Sequence, residues 1–78
     1  MQRLILKTEN SSGVLRRVAG VLSRKGHNIH SFHSDPTPDS GFSTMEITIE
    51  CDIGEAGMMK KQLLRLYGVF SVDLDSDA

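Results

Sequence analysis

Apolar and polar residues alternate most regularly near the middle of the chain. Met45, Ile47, Ile49 and Cys51 occupy one side of the alternation, and Thr44, Glu46, Thr48 and Glu50 occupy the other. Because successive side chains of a strand point to opposite faces, this pattern predicts a strand with one dry face and one face that is wet or covered by a partner. Shorter patterns predict a first strand at residues 4–8 and a last strand at residues 70–74, in which Phe70, Val72 and Leu74 share a face.

Two segments carry apolar residues at the spacing of a helix. The first segment places Leu15, Val18, Ala19 and Leu22 on one face, and the second places Ala56, Met59, Leu63 and Leu66 on one face. Asn10, Ser11 and Ser12 are each suited to cap the start of the first helix, because their side chains accept hydrogen bonds from free backbone N–H groups. Gly26 and Gly68 are expected to end the two helices.

An extended segment is expected between Ile29 and Asp35, followed by a hairpin-type loop at residues 37–41 that contains Pro, Asp and Gly. Ile29 and Phe32 are three positions apart, so they cannot share a face of a regular strand. A bulge near His30 would resolve this conflict by adding one residue to the strand.

The predicted order of elements is β-α-β-β-α-β. This order is typical of the α+β, ferredoxin-like fold, a four-stranded antiparallel sheet with both helices on one face. With 78 residues, the chain is expected to form one domain, residues 1–78. It has no Trp, one Tyr and three Phe, so its core is expected to be aliphatic. A domain of this size buries only roughly 60–65% of its unfolded surface, which favours further stabilisation by a partner chain.

Composition argues against several classes of protein. Nine Lys and Arg against ten Asp and Glu give a net charge of −1. The polar face of the strand predicted from Thr44 to Cys51 carries two glutamates, Glu46 and Glu50. Neither feature favours a nucleic-acid-binding protein. The single cysteine excludes an internal disulfide, and no apolar run is long enough for a signal peptide or a membrane span. We therefore expect a soluble cytoplasmic protein that binds neither nucleic acid nor membrane.

Catalytic and metal sites are weakly indicated. Ser11 and Ser12 could be nucleophiles, but no strained nucleophile turn surrounds them, and helix capping explains both. His27, His30 and His33 are spaced by three, and in a regular strand such residues point to alternating faces. Without a pair of cysteines or a helical H-E-x-x-H motif, they do not predict a metal site. We therefore expect neither catalytic residues nor a metal or cofactor in this chain.

The start of the first helix is the stronger candidate site. Backbone N–H groups at a helix start can bind a small carboxylate, and Gly13 would allow a ligand to approach the backbone closely. The amides of Asn10 and Asn28 can donate to a carboxylate and accept from an ammonium group. On spacing alone, simple capping by Asn10 and a simple turn at Gly13 explain these residues equally well.

The chain resembles a known family through an ordered set of motifs. These are Asn10-x-x-Gly13-x-Leu15, the helix from Arg17 to Gly26, Asn28-Ile29-x-Ser31, Pro36-Thr37, Ser43-Thr44-Met45-x-Ile47 and Lys61-Gln62-Leu63. Together they resemble the ACT domain, and more closely the small regulatory subunit of acetohydroxyacid synthase (acetolactate synthase). The similarity covers nearly the whole chain, and its first thirty or so positions are the most specific.

The resemblance implies that two domains pair side by side, as a homodimer, and bind a branched-chain amino acid between them. Valine is the usual effector, and leucine or isoleucine sometimes replaces it. The implied site consists of Asn10, Ser12, Gly13, Val14, Leu15, Asn28 and Ile29, with the helix start of one subunit facing the Asn-Ile segment of its partner. The resemblance also implies a catalytic large subunit that is activated or feedback-inhibited and that holds thiamine diphosphate, magnesium and FAD.

Three departures from the family pattern are apparent. Many relatives carry a second domain, so the chain is either naturally short or truncated. Thr44 stands where relatives often have arginine, and His30 and His33 replace acidic or small polar residues. Because imidazole titrates near neutral pH, these histidines could make contact with a partner depend on pH.

Two other functions are consistent with the sequence. The first is an interaction module that pairs with a catalytic chain without binding an effector. The second is an ACT sensor of a different amino acid in another pathway. An enzyme is the least favoured interpretation.

Overall fold

A computed structural model describes residues 1–26, 28–38 and 40–75, apart from the side chain of Lys25. The elements are β1 (Gln2–Glu9), α1 (Ser12–Lys25), β2 (Asn28–Pro36), β3 (Phe42–Glu50), α2 (Ile53–Leu64) and β4 (Val69–Asp75). The predicted β-α-β-β-α-β order and ferredoxin-like fold are confirmed. The expectations for His27, for Asp39 in the hairpin loop and for residues 76–78 lie outside the described residues.

The four strands form one sheet in the order β2-β3-β1-β4, and every pairing is antiparallel. β1 and β3 are central, while β2 and β4 form the two edges. The register between β2 and β3 shifts between Ile29 and Ser31, which confirms the bulge predicted near His30. The bulge places Ile29 opposite Ile49 and Phe32 opposite Ile47, so both apolar residues of β2 are on the helix side of the sheet.

The core lies between the sheet and the two helices and is aliphatic, as predicted. Its buried members are Leu4, Leu6, Val14, Val18, Val21, Leu22, Met45, Ile47, Ile49, Met59, Leu63, Val69 and Val72. Burying one such side chain contributes roughly 1.5–3 kcal/mol to stability. The alternation predicted for β3 is confirmed for Met45, Ile47 and Ile49, which are almost fully buried. It is wrong for Cys51, because β3 ends at Glu50 and Cys51 follows the strand, partly buried.

The buried face of α1 differs from the predicted one. Val14 and Val21 are buried together with Val18 and Leu22, whereas Leu15 is 41% exposed and Ala19 is also exposed. Because apolar residues occupy two neighbouring stripes of this helix, helical spacing alone could not select between them. The packing of Val14 against Gly68 selects the stripe that faces the sheet.

The last strand also differs from its prediction at Phe70. The register between β1 and β4 shifts between Lys7 and Thr8, so Val69 faces the core and Phe70 points to the outer face of the sheet. Phe70 is 55% exposed, and its ring makes an edge-to-face contact with Phe42, with 5.4 Å between ring centroids. A local shift of this kind is not visible in the alternation of a short strand.

Ser11 is the residue that caps the start of α1. Its backbone is extended, and its hydroxyl oxygen accepts a hydrogen bond from the N–H of Val14 at 3.3 Å. Asn10 instead donates its backbone N–H to the carbonyl of Gly41 at 2.8 Å. At the other end, Gly26 adopts the left-handed conformation predicted for a glycine cap.

Replacing Gly68 by alanine is expected to destabilise the domain strongly. Gly68 has a φ of +91°, and a Cβ atom at this position would overlap Cγ2 of Val14. Backbone strain and overpacking together predict a loss of about 2–4 kcal/mol in the free energy of unfolding, measured by urea denaturation at fixed protein concentration. Gly41→Ala is the control. Gly41 has a φ of +75°, but a Cβ atom there would meet no other atom within 4 Å. Only backbone strain of about 1 kcal/mol is therefore expected. Equal losses in the two variants would contradict the packing argument.

Replacing Ser11 by alanine is expected to lower the free energy of unfolding by about 1 kcal/mol, because the N–H of Val14 loses its acceptor. Ser12→Ala provides the comparison, since Ser12 is exposed at the first position of the helix and does not cap it. Urea denaturation followed by circular dichroism measures both variants. A larger loss for Ser12→Ala than for Ser11→Ala would show that Ser11 is not the capping serine.

Candidate functional site

The loop that starts α1 is held by backbone hydrogen bonds to two other loops. The N–H of Glu9 donates to the carbonyl of Gly68 at 2.7 Å, and the N–H of Asn10 donates to the carbonyl of Gly41 at 2.8 Å. These bonds join the end of β1 to the turn before β4 and to the hairpin between β2 and β3. The helix start is therefore fixed at one end of the sheet, which is a requirement for a preorganised binding site.

Two backbone donors are available at this helix start. Of the predicted donors, the N–H of Val14 is bonded to the hydroxyl of Ser11, and the N–H of Leu15 is bonded to the carbonyl of Ser11 at 3.3 Å. Within the described part of the chain, the N–H groups of Ser12 and Gly13 have no acceptor, as is usual for the first turn of a helix. An anion would thus be bound by Ser12 and Gly13 rather than by all four residues from 12 to 15.

Arg17 adds a positive charge that the sequence prediction missed. A Cβ atom on Gly13 would lie 3.6 Å from Nη1 of Arg17, so the guanidinium group lies beside the free N–H groups. The same guanidinium lies over the ring of Tyr67, with 5.7 Å from Cζ to the ring centroid. The spacing of four residues between Gly13 and Arg17 would have indicated this proximity, because such residues are neighbours on a helix.

The apolar candidates at the helix start differ in accessibility. The side chain of Val14 is 1% exposed and packs in the core, so it offers no surface to a ligand. Leu15 is 41% exposed beside it. Asn10 and Ser12 are exposed at the same end of the sheet. Of the predicted apolar lining here, only Leu15 is accessible.

The remaining candidates, Asn28 and Ile29, are at the opposite end of the sheet. Asn28 is opposite Glu50 at the end of β3, whereas Glu9, just before the helix start, is opposite Phe42 at the beginning of β3. Eight positions of β3 separate residues 42 and 50, which corresponds to about 27 Å along a strand. Asn28 is exposed and Ile29 is 43% exposed. One chain therefore does not bring the two halves of the predicted site together.

β2 is an edge strand whose outer side has no partner among the described residues. Eight of its nine residues are exposed, and Phe32 is the exception. Its helix side includes Ile29, and its backbone N–H and C=O groups on the outer side are available to another strand. Such an edge is a template for pairing with a second chain.

Both described histidines of β2 contact a carboxylate, and they contact different ones. Nε2 of His30 is 3.3 Å from Oε2 of Glu50, and Nε2 of His33 is 2.9 Å from Oδ2 of Asp35. No group of three or more potential metal ligands converges among the residues that the structure describes. The two histidines thus form separate pairs on the surface of the edge strand.

Cys51 is a poor candidate for a nucleophile. Burial raises the pKa of its thiol, and the negative charges of Glu55 and Asp52 raise the pKa further. The thiol is therefore predominantly protonated at neutral pH, whereas the thiolate is the reactive form.

Neither of the two helices, in the part of the chain that the structure describes, has the length and apolar character needed to cross a membrane.

Comparison with known proteins identifies relatives over most of the chain. Residues 4–71 match the family model of the AHAS small subunit-like ACT domain. The chain is 38% identical over 73 residues to the acetolactate synthase small subunit of Haemophilus influenzae and to the acetolactate synthase isozyme 3 small subunit of Escherichia coli. Each alignment covers 92% of this chain but 45% of the relative, so the chain spans less than half the length of these proteins.

Solved structures agree with this result. The acetolactate synthase small subunit of Thermotoga maritima superposes with a TM-score of 0.81 at 28% identity, covering 95% of this chain and 47% of that one. The ACT domain of the GTP pyrophosphokinase of Chlorobium tepidum superposes with a TM-score of 0.79 at 19% identity, covering 95% of both chains, which shows a shared fold. The matched family model, the sequence relatives and the fold agree, and the chain belongs to the ACT-domain family typified by the small subunit of acetohydroxyacid synthase.

Proposed function

We propose that this chain is the effector-binding ACT domain of a regulatory, non-catalytic small subunit of acetolactate synthase. In this proposal the domain forms a homodimer in the cytoplasm, binds a branched-chain amino acid, with valine as the first candidate, and transmits its presence to a catalytic large subunit. Thiamine diphosphate would belong to that large subunit, and no cofactor is proposed for this chain. The names of the relatives support a regulatory small subunit.

The observation that supports the proposal best is the separation of the two halves of the site. The helix start and the Asn28–Ile29 segment are at opposite ends of one sheet, about 27 Å apart along β3. If β2 pairs antiparallel with β2 of a second chain, the first residues of one β2 face the last residues of the other. The two-fold symmetry of such a dimer then brings Asn28 and Ile29 of one chain toward the helix-start end of its partner, twice per dimer.

The helix start is suited to the carboxylate of an amino acid. The free N–H groups of Ser12 and Gly13, the positive end of the helix dipole and the guanidinium of Arg17 all favour a negative charge there. The helix dipole alone contributes about 0.3–1 kcal/mol at an exposed site. Asn28 of the second chain would bind the amino-acid backbone. Leu15 and Ile29 would contact a branched side chain, while Val14 would hold the helix in place from the core.

One alternative is favoured by a specific observation. The outer edge of β2 is exposed and has no strand partner among the described residues. An ACT interaction module that pairs through this edge and binds no effector would have the same edge. The effect of branched-chain amino acids on the melting temperature distinguishes the two functions, because a ligand that binds only the folded state raises that temperature with concentration.

Gly13→Asp is expected to abolish the rise in melting temperature with valine, leucine or isoleucine and to raise the Kd in calorimetry at least about tenfold. The introduced carboxylate would lie beside Arg17 and the free N–H groups, where the carboxylate of the ligand is proposed to bind. An acidic residue in the first turn favours the helix, so the variant should remain folded. Gly13→Ala is the matched control, since its Cβ makes only ordinary contacts with Arg17 and it adds no charge. Binding of the same amino acid with unchanged affinity by Gly13→Asp would contradict the proposed carboxylate site.

Asn28→Ala is expected to weaken effector binding at least about tenfold while leaving the dimer intact, because the amide is proposed to contact the ligand and β2 pairs through its backbone. Calorimetry measures the affinity, and light scattering measures the molar mass. Ser31→Ala, on the same exposed strand, is the control and should change neither quantity. Loss of the dimer in Asn28→Ala would show that the amide has a structural role instead.

A further inference from the structure

The two helices carry most of the positive charge of the chain. Of nine Lys and Arg residues, six lie within α1 and α2, and a seventh, Arg65, caps α2. Among the described residues, Glu55 is the only acidic residue inside a helix, whereas β3 and β4 together carry four acidic residues. Although the net charge is only −1, the charges are unevenly distributed: the helix layer is basic and the sheet layer is more acidic.

A groove between the helices concentrates this positive charge. We call it the helix-layer cleft; it has a volume of about 380 Å³ and is lined by Val21, Arg24, Gln62, Arg65 and Leu66. A second hollow of about 230 Å³ shares Gln62 and Arg65 with the cleft. That second hollow adds Met58 and Lys61 to the lining, so the combined groove follows α2 toward its beginning.

The groove has an apolar floor and a basic rim. Val21 is buried and Leu66 is partly buried against the core, while Arg24, Lys61 and Arg65 are exposed. In the described part of the chain, no carboxylate forms an ion pair with any of these three cations. A negatively charged ligand would therefore meet cations that are not already neutralised by ion pairs.

The helix dipole explains part of this arrangement. Arg24 and Lys61 lie in the last turns of their helices, and Arg65 follows α2, so all three are favourably placed near negative helix ends. The dipole does not explain why Arg24 and Arg65 line one hollow together with the partly buried Leu66. It also does not explain Met58, which is 59% exposed at the end of the groove, where a flexible thioether is suited to contact a partner.

We propose that the helix-layer cleft is the surface on which the catalytic chain of acetolactate synthase docks, through a surface segment that carries acidic residues around an aliphatic side chain. This inference rests on the proposed function and adds the face of the domain that contacts the partner. The aliphatic group would pack chiefly on Leu66, since Val21 is almost fully buried, and the carboxylates would pair with the three cations. From Met58 to Arg65 the groove follows α2 and its C-cap over seven residue steps, or about 10 Å, which is the length of roughly two turns of a docked helix.

The test measures binding of the wild-type chain and its variants to the purified catalytic chain from the same organism by calorimetry. The double variant Arg24→Glu/Arg65→Glu is expected to raise the Kd for the catalytic chain at least about tenfold. Branched-chain amino acids should still raise its melting temperature as much as they raise that of wild type. Arg16→Glu/Lys60→Glu is the matched control, because it reverses the same number of charges on the same helices outside the cleft. If the first double variant does not fold, Arg24→Gln/Arg65→Gln removes the charges more conservatively.

The outcomes separate this inference from the proposed function. Equal affinity of both double variants and wild type would overturn the docking surface while leaving the regulatory function intact. No association of the wild-type chain with the catalytic chain, despite a rise in melting temperature by valine, would overturn the catalytic partnership and the docking surface but not the effector site. Binding of a single-stranded oligonucleotide is measured for the same variants. If Arg24→Glu/Arg65→Glu weakens that binding but not the binding of the catalytic chain, the cleft is a polyanion site and the inference is wrong.

Discussion

Val14 packs against Gly68 so closely that no side chain larger than hydrogen fits at position 68. The same turn accepts the backbone hydrogen bond of Glu9, so the end of β1, the start of α1 and the turn before β4 are fixed together. This contact sets the rotation of α1 about its own axis. Val14, Val18, Val21 and Leu22 consequently face the core, and Leu15 remains at the surface. The geometry of the candidate effector site thus depends on a contact that no ligand touches.

The edge strand limits what one chain can do alone. Both helices cover the sheet, yet eight of nine residues of β2 are exposed and its outer backbone groups have no partner among the described residues. Pairing of two β2 edges would satisfy these backbone groups and would complete the effector site in the same step. Stability and ligand binding would then depend on one interface.

The sequence predicted most of the fold because the informative patterns are local. The alternation that begins at Thr44 identified β3 as far as Glu50, and the conflict between Ile29 and Phe32 identified the bulge of β2. The predictions failed where tertiary contacts decide. Two apolar stripes on α1 were equally possible until Gly68 selected one, and Phe70 left the core because of a register shift beside Lys7. Arg17 was not predicted, because the capping pattern at the helix start does not include the guanidinium that reaches back one turn to Gly13.

Net charge was informative about the whole chain but not about its surfaces. Nine cations and ten anions nearly cancel in the composition, yet the fold sorts them into a basic helix layer and a more acidic sheet layer. The carboxylate-binding part of the effector site and the helix-layer cleft lie at opposite ends of one helix, because Gly13 is in the first turn of α1 and Arg24 is in its last turn. A helix of 14 residues is a stiff element about 20 Å long. Suppose that an effector binds one position of α1 more tightly than another. It would then shift α1 toward that position and change the affinity of the cleft for the catalytic partner. By linkage, the catalytic partner would change the affinity for the effector by the same factor.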